Sequence, residues 1–243
     1  MKRFIILQNM RIEGPGLFSK IARNKGFKIE IIRLDLGDKL PNLNTGDILL
    51  ILGGSMGIKD VGKDKYPWLE KEVKLIKSIL NKDIGIIGVC LGAQLLSYAA
   101  GGDTELLKSG TPLRPNPEIG WDEIYSVDYQ SEDEISMILK KPIKVLHWHE
   151  DRILLPNSAE LNASSCRCKE QLFRIGSLAY GLQFHVEIDD QMIDTWISED
   201  QKFISSALGA DGQTILNQQQ KEFGHKTLVT RLEFLNNLFD LLS

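Results

Sequence analysis

Cysteine is scarce: three residues in 243 cannot all pair, and their spacing suggests no disulfide framework. A reducing, cytoplasmic setting is the resulting expectation. Long hydrophobic runs are missing too. Nothing approaches the ~18 apolar residues that span a bilayer, so no membrane partner is expected. The opening run Phe4 to Leu7 is stopped by Gln8, Asn9 and Arg11 before it reaches the length of a signal-peptide core, and it reads as a first strand. Positive charge is not in excess either. The 29 Lys and Arg against 33 Asp and Glu leave a net charge of -4, without the basic surplus that a nucleic-acid partner favours. No G-x-x-x-x-G-K-S/T loop and no glycine pair suited to ATP occurs. No cofactor is therefore expected. Internal repeats are absent, and Gln218 to Gln220 is a brief polar run.

What is present is organised around Ile84 to Gly101. Gly85 to Val89 is an unbroken run of apolar residues and glycine, the pattern of a strand buried on both faces of a parallel sheet. Leu91, Leu95, Leu96, Ala99 and Ala100 follow at helical spacing, and Gly101-Gly102 ends the helix. Cys90 thus falls in a strand-to-helix hinge, flanked by Gly88 and Gly92 as G-x-C-x-G. This is the thiol counterpart of the nucleophile elbow: glycines let strand and helix cross closely, and a sulfur at a helix N-terminus meets the field that favours thiolate. Further continuous or alternating runs at Lys28 to Leu34 and Asp47 to Leu52, separated by a helical pattern over Gly14 to Lys25, indicate βαβ units. The expected fold is an α/β, doubly wound, mainly parallel sheet with helices on both faces, and its ligand site lies beyond the carboxyl ends of the strands.

GVCLGAQ at Gly88 to Gln94 resembles the nucleophile motif of class I glutamine amidotransferases, and GLQFHVE at Gly181 to Glu187 resembles their histidine-glutamate motif. LGGSMG at Leu52 to Gly57, YPWLEKE at Tyr66 to Glu72, EIGW at Glu118 to Trp121 and HWHED at His147 to Asp151 also agree. Together they are similar to free-standing amidotransferases related to the glutaminase domain of GMP synthase, with a flavodoxin-like fold. The resemblance implies that Cys90 attacks the side-chain carbonyl of glutamine and that His185, oriented by Glu187, moves the protons. The amides of Gly54 and Leu91 would form the oxyanion hole, and Gln94, Trp148, Glu150 and Asp151 would contact substrate. In the family a glycine commonly occupies the position of Glu150, so a different γ-glutamyl substrate is an alternative. A γ-glutamyl peptidase or hydrolase would use the same three residues. A thiol sensor would need Cys90 but not the oriented pair His185-x-Glu187.

The remaining expectations are structural. Leu182 to Ile188 reads as a strand that places His185 and Glu187 on one face. Lys144 to His149 reads as another, with His147 and His149 on one face and Trp148 on the other. No third metal ligand stands at a recognisable spacing from these histidines, and Cys166-x-Cys168 alone is too little for zinc, so no metal is expected. Periodicity weakens over 103–140, where Pro112, Pro115 and Pro117 forbid a long helix and Trp121 to Val127 reads as an edge or hairpin strand. Met192 to Leu208 and a stripe of Leu228, Leu232, Leu235, Phe239 and Leu242 read as helices. The expected organisation is one domain over 1–243, with 190–243 as a helical extension packed on it, in a monomer or homodimer.

Overall fold

A computed structural model describes residues 2–130 and 134–242. In chain order the strands are β1 (Arg3–Gln8), β2 (Lys28–Arg33), β3 (Ile48–Ile51), β4 (Gly85–Val89), β5 (Asp103–Leu106), β6 (Lys108–Ser109), β7 (Arg114–Pro115), β8 (Glu118–Ser126), β9 (Ile143–His149), β10 (Asp151–Leu154), β11 (Ala159–Ser164), β12 (Leu172–Ile175) and β13 (Ala179–Leu182). The α-helices are α1 (Gly16–Asn24), α2 (Leu69–Ile79), α3 (Leu91–Ala99), α4 (Glu134–Ile138), α5 (Asp190–Glu199), α6 (Gln201–Leu208), α7 (Gly212–Phe223) and α8 (Leu228–Leu241). The expected weak region over 103–140 includes 131–133, which lie outside the described residues.

The main sheet runs β2-β1-β3-β4-β13-β12-β11-β8-β9. From β2 to β13 every pairing is parallel, and all of these strands except β13 fall on runs that the sequence marks. From β13 outward the pairings are antiparallel. Hydrophobic clusters cover both faces. On one, Phe4, Phe18 and Phe27 meet Phe234, Leu235, Leu238 and Phe239 of α8; on the other, β-strand residues meet Leu69, Ile76 and Leu95 of α2 and α3. The leucine stripe of α8 therefore packs against the sheet: Leu235 and Phe239 are fully buried.

Two segments depart from the sequence reading. The strand expected at Leu182 to Ile188 is Ala179–Leu182, ending where the motif begins. Its neighbours explain why: β4 stops at Val89 opposite Leu182, and β12 starts at Leu172, also opposite Leu182. Beyond that point only an isolated bridge from His185 to Leu146 remains. The helix expected over Met192 to Leu208 is two helices, broken at Asp200, whose backbone (φ -108, ψ 40) leaves the helical region.

A buried carboxyl in the YPWLEKE stretch gives the fold a pH dependence. Glu72 is fully buried and receives a hydrogen bond from Asn9, which in turn accepts one from the Trp68 indole. Burial raises Glu72 to about 8, with the Asn9 contact opposing. The folded state thus holds a proton that the unfolded chain releases near 4.5. This contribution is fully present below pH 4.5 and is lost as pH rises toward 8. Glu72→Gln is expected to flatten that fall, so that its stability relative to the parent increases between pH 5 and 8 by roughly 2 to 5 kcal/mol. Urea unfolding at both pH values measures it, and equal slopes for the two proteins would contradict it.

Candidate active site

Cys90 stands between β4 and α3 with φ 50 and ψ -109, the one non-glycine residue among those described with positive φ. Such a conformation costs about 1 to 3 kcal/mol and persists only where the surroundings impose it. Here they do. A Cβ at Gly88 would overlap the carbonyl of Gly92, and a Cβ at Gly92 would overlap the carbonyl of Ile51 in β3. Strand, helix and neighbouring strand are therefore packed backbone to backbone around the cysteine. Its thiol donates toward the Trp148 carbonyl at 3.8 Å.

His185 and Glu187 meet this sulfur from a loop rather than a strand. The Nδ1 of His185 is 2.8 Å from Glu187 Oε1, both side chains are buried, and the imidazole lies within hydrogen-bond reach of Cys90. Burial by itself would lower the His185 pKa, but the Glu187 charge and the hydrogen bonds with Cys90 and Glu187 outweigh it and raise it well above 6.5. An imidazolium and a helix N-terminus are the surroundings in which a thiolate is stabilised.

The loop holds its geometry because the carbonyls of Val186, Glu187 and Ile188 are each taken. Leu17 at the start of α1 donates its amide to the Glu187 carbonyl at 2.9 Å. The buried guanidinium of Arg231 on α8 donates to the carbonyls of Val186 at 3.1 Å and Ile188 at 2.6 Å. Burial lowers Arg231 to about 10, with Glu187 and nearby aspartates opposing, so it remains charged at neutral pH. The indole of Trp196 on α5 closes the other side, its ring centroid 4.7 Å from that of His185. The sequence reading did not single out Arg231 or Trp196. A visible signal was there for the first: an arginine within the apolar stripe of a helix needs buried acceptors.

A cavity of about 520 Å³ opens over Cys90 at the carboxyl ends of the parallel strands. Gly54 and Leu91 line it beside the sulfur, and Leu91, as the first residue of α3, has an amide without an acceptor one turn back. Gln94 lines it too and donates to Gln183 at 3.3 Å. Trp148, Glu150 and Asp151 form part of the wall. Glu150 lies in ordinary backbone of negative φ, its carbonyl accepts the Leu107 amide at 2.8 Å, and its side chain is exposed. Glutamate thus fits where glycine is common. All of the expected site residues are brought to one place, with Glu187 behind His185.

Glu13 was missed. It follows β1 on the loop that leads into Pro15 and Gly16, and its carboxyl reaches the far side of Gly53: a Cβ there would overlap Glu13 Oε2 and stand 3.4 Å from Cβ of Cys90. Burial raises it to about 7, with His185 opposing and Glu187 and Asp200 adding to the rise.

The two histidines of HWHED acquire a third neighbour that spacing did not reveal. Glu118 on β8 pairs across the sheet with His149, and Glu118, His147 and His149 bring potential ligand atoms within 4.8 Å of one another. The carboxylate is already occupied. It accepts from Ser165 at 2.6 Å, Gln171 at 2.6 Å and the His149 ring at 3.0 Å. Burial alone would raise Glu118, but these donors and the histidine charges hold it down at about 2. The second ring nitrogen of His149 faces the Asp151 carbonyl at 2.9 Å, which ties this buried network to the cavity wall. Burial pushes His147 down to about 4. Cys166 is exposed and Cys168 buried, its thiol pushed up to about 12 mainly by burial. No described helix is long and apolar enough to cross a membrane.

The chain is similar to several known proteins. The family model described as glutamine amidotransferase class-I matches residues 17–202. The glutamine amidotransferase-like protein YfeJ of Salmonella typhimurium is 28% identical over 200 residues, covering 81% of this chain and 80% of that protein. A component chain of the glutamine-hydrolyzing GMP synthase of Methanosphaera stadtmanae is 29% identical over 141 residues, 57% of this chain and 64% of that protein. Among solved structures, a glutamine amidotransferase from Thermotoga maritima superposes with a TM-score of 0.82 at 26% identity, covering 99% of this chain and 97% of that one.

Proposed function

Because the chain belongs to the class I glutamine amidotransferase family, we propose that it cleaves the side-chain amide of glutamine through a γ-glutamyl thioester on Cys90. The sulfur attacks the amide carbon, and the amides of Gly54 and Leu91 take the tetrahedral oxyanion. His185 delivers its proton to the departing nitrogen, then activates water to break the C–S bond and release glutamate, while Glu187 keeps the ring oriented. Gln94, Glu150 and Asp151 shape the cavity around the γ-glutamyl group, and Trp148 borders both that group and the leaving group. The observation that carries this reading is the contact of His185 with both Cys90 and Glu187 at the floor of the cavity.

The relative that is one component of a GMP synthase supports a further part of the reading: ammonia released here passes to a separate synthetase chain. The purified protein is expected to release glutamate and ammonia from glutamine in equal amounts. Release of neither, alone or with a partner synthetase, would overturn the proposal.

A further inference from the structure

The cavity is larger than glutamine requires. At about 520 Å³ it falls in the class, roughly 300 to 1,000 Å³, that takes drug-sized ligands. If the thioester reading holds and the γ-glutamyl group lies on the Gln94 and Asp151 side, the leaving group faces the opposite wall. That wall is aromatic and anionic. The rings of Trp148, Trp196 and Phe203 pack together, with centroids 5.6 Å apart for the two indoles and 6.1 Å for Trp148 and Phe203. Asp200 is held among them by the Trp148 indole N–H at 3.0 Å. Glu13 closes the inner end next to Gly53 and Cys90; its backbone amide donates to the Met10 carbonyl, but its carboxyl has no hydrogen bond or ion pair among the described residues. Both carboxyls are half-buried, whereas Lys59 and Lys202, the lysines lining the cavity, are exposed. Aromatic faces combined with carboxylates form a site for an alkylammonium ion.

We propose that the leaving group this cavity accepts is an alkylamine carrying its own cationic nitrogen, so that the substrates are γ-glutamyl amides of diamines and longer oligoamines, with glutamine the smallest member. The chemistry needs only water. The amide C–N bond breaks as the C–S bond to Cys90 forms, the nitrogen leaves as an amine with a proton from His185, and water then cleaves the C–S bond to give glutamate. Glu13, which burial raises to about 7, gains from a ligand cation the partner that keeps it ionised.

The test compares γ-glutamylputrescine with its uncharged isostere, γ-glutamyl-pentylamide. In Cys90→Ser protein, calorimetry is expected to give a Kd for the cationic compound at least ~10-fold lower, and Glu13→Gln in that background is expected to shrink the ratio several-fold. Equal affinities, or tighter binding of the neutral compound, would overturn the proposal whatever the variant does. Turnover by the parent protein reads the underlying mechanism separately. If neither compound nor glutamine yields Cys90-dependent glutamate, alone or with a partner synthetase, the thioester reading fails, and the order of the two affinities still decides whether the wall recognises a cation.

Discussion

Serine in place of Cys90 is expected to lower glutamate release from glutamine by about 10⁴-fold or more while the protein stays folded. The size of the effect follows from the state of His185. Burial by itself would lower its pKa, but Glu187 and Cys90 outweigh it and raise it well above 6.5, which favours the imidazolium. A sulfur can be the anion that pairs with such an imidazolium. A serine hydroxyl cannot, because it needs a neutral histidine to remove its proton as it attacks. The two atoms are otherwise close in shape, so thermal melting should change little. Turnover within tenfold of the parent, with melting unchanged, would show that the sulfur is not the nucleophile.

Gly92→Ala is expected to cost about 4 kcal/mol or more, or to prevent folding altogether. The added Cβ would overlap the carbonyl oxygen and carbon of Ile51. Those atoms belong to a central strand, which has no room to shift because β1 and β4 pair with β3 on either side. Gly26→Ala is the comparison. Gly26 has φ +77 but nothing within 4 Å of its missing Cβ, so its cost is the backbone conformation alone, about 1 to 2 kcal/mol. Urea unfolding of both variants separates the effects. If Gly92→Ala costs no more than Gly26→Ala, the close crossing of strand and helix at the elbow is not what the fold depends on.

The legible part of this chain was its parallel half. Strands buried on both faces must be continuously apolar, so Phe4 to Leu7, Asp47 to Leu52 and Gly85 to Val89 announced themselves, and the glycines around Cys90 marked the elbow. The pairing of His185 with Glu187 was also foreseen, although on the wrong element. Residues two apart share a face on a strand, but here they share one because Leu17 and Arg231 fix the loop's carbonyls. The antiparallel half was harder to read. β8 and β9 were read in part, at Trp121 to Val127 and Lys144 to His149, whereas β11, β12 and β13 are four to six residues long and carry no continuous apolar run that marks them. The polar run Gln218 to Gln220 shows the same difficulty. It belongs to α7, where Gln219 accepts the Trp121 amide at 2.9 Å and Gln220 accepts the indole N–H at 3.0 Å. Glutamines that satisfy a distant strand look like surface in a sequence. Glu13, Trp196 and Asp200 escaped for a similar reason: each lies outside the motifs, and only the folded chain brings them to the cavity over Cys90.

The central claim is a covalent one, and it is tested by quenching the protein in acid during steady turnover of glutamine and reading the mass of its peptides. The account predicts one γ-glutamyl group on the peptide that contains Cys90, at a higher level when glutamine is saturating. Turnover that proceeds with Cys90 unmodified, or an adduct found only on the exposed Cys166, would contradict it.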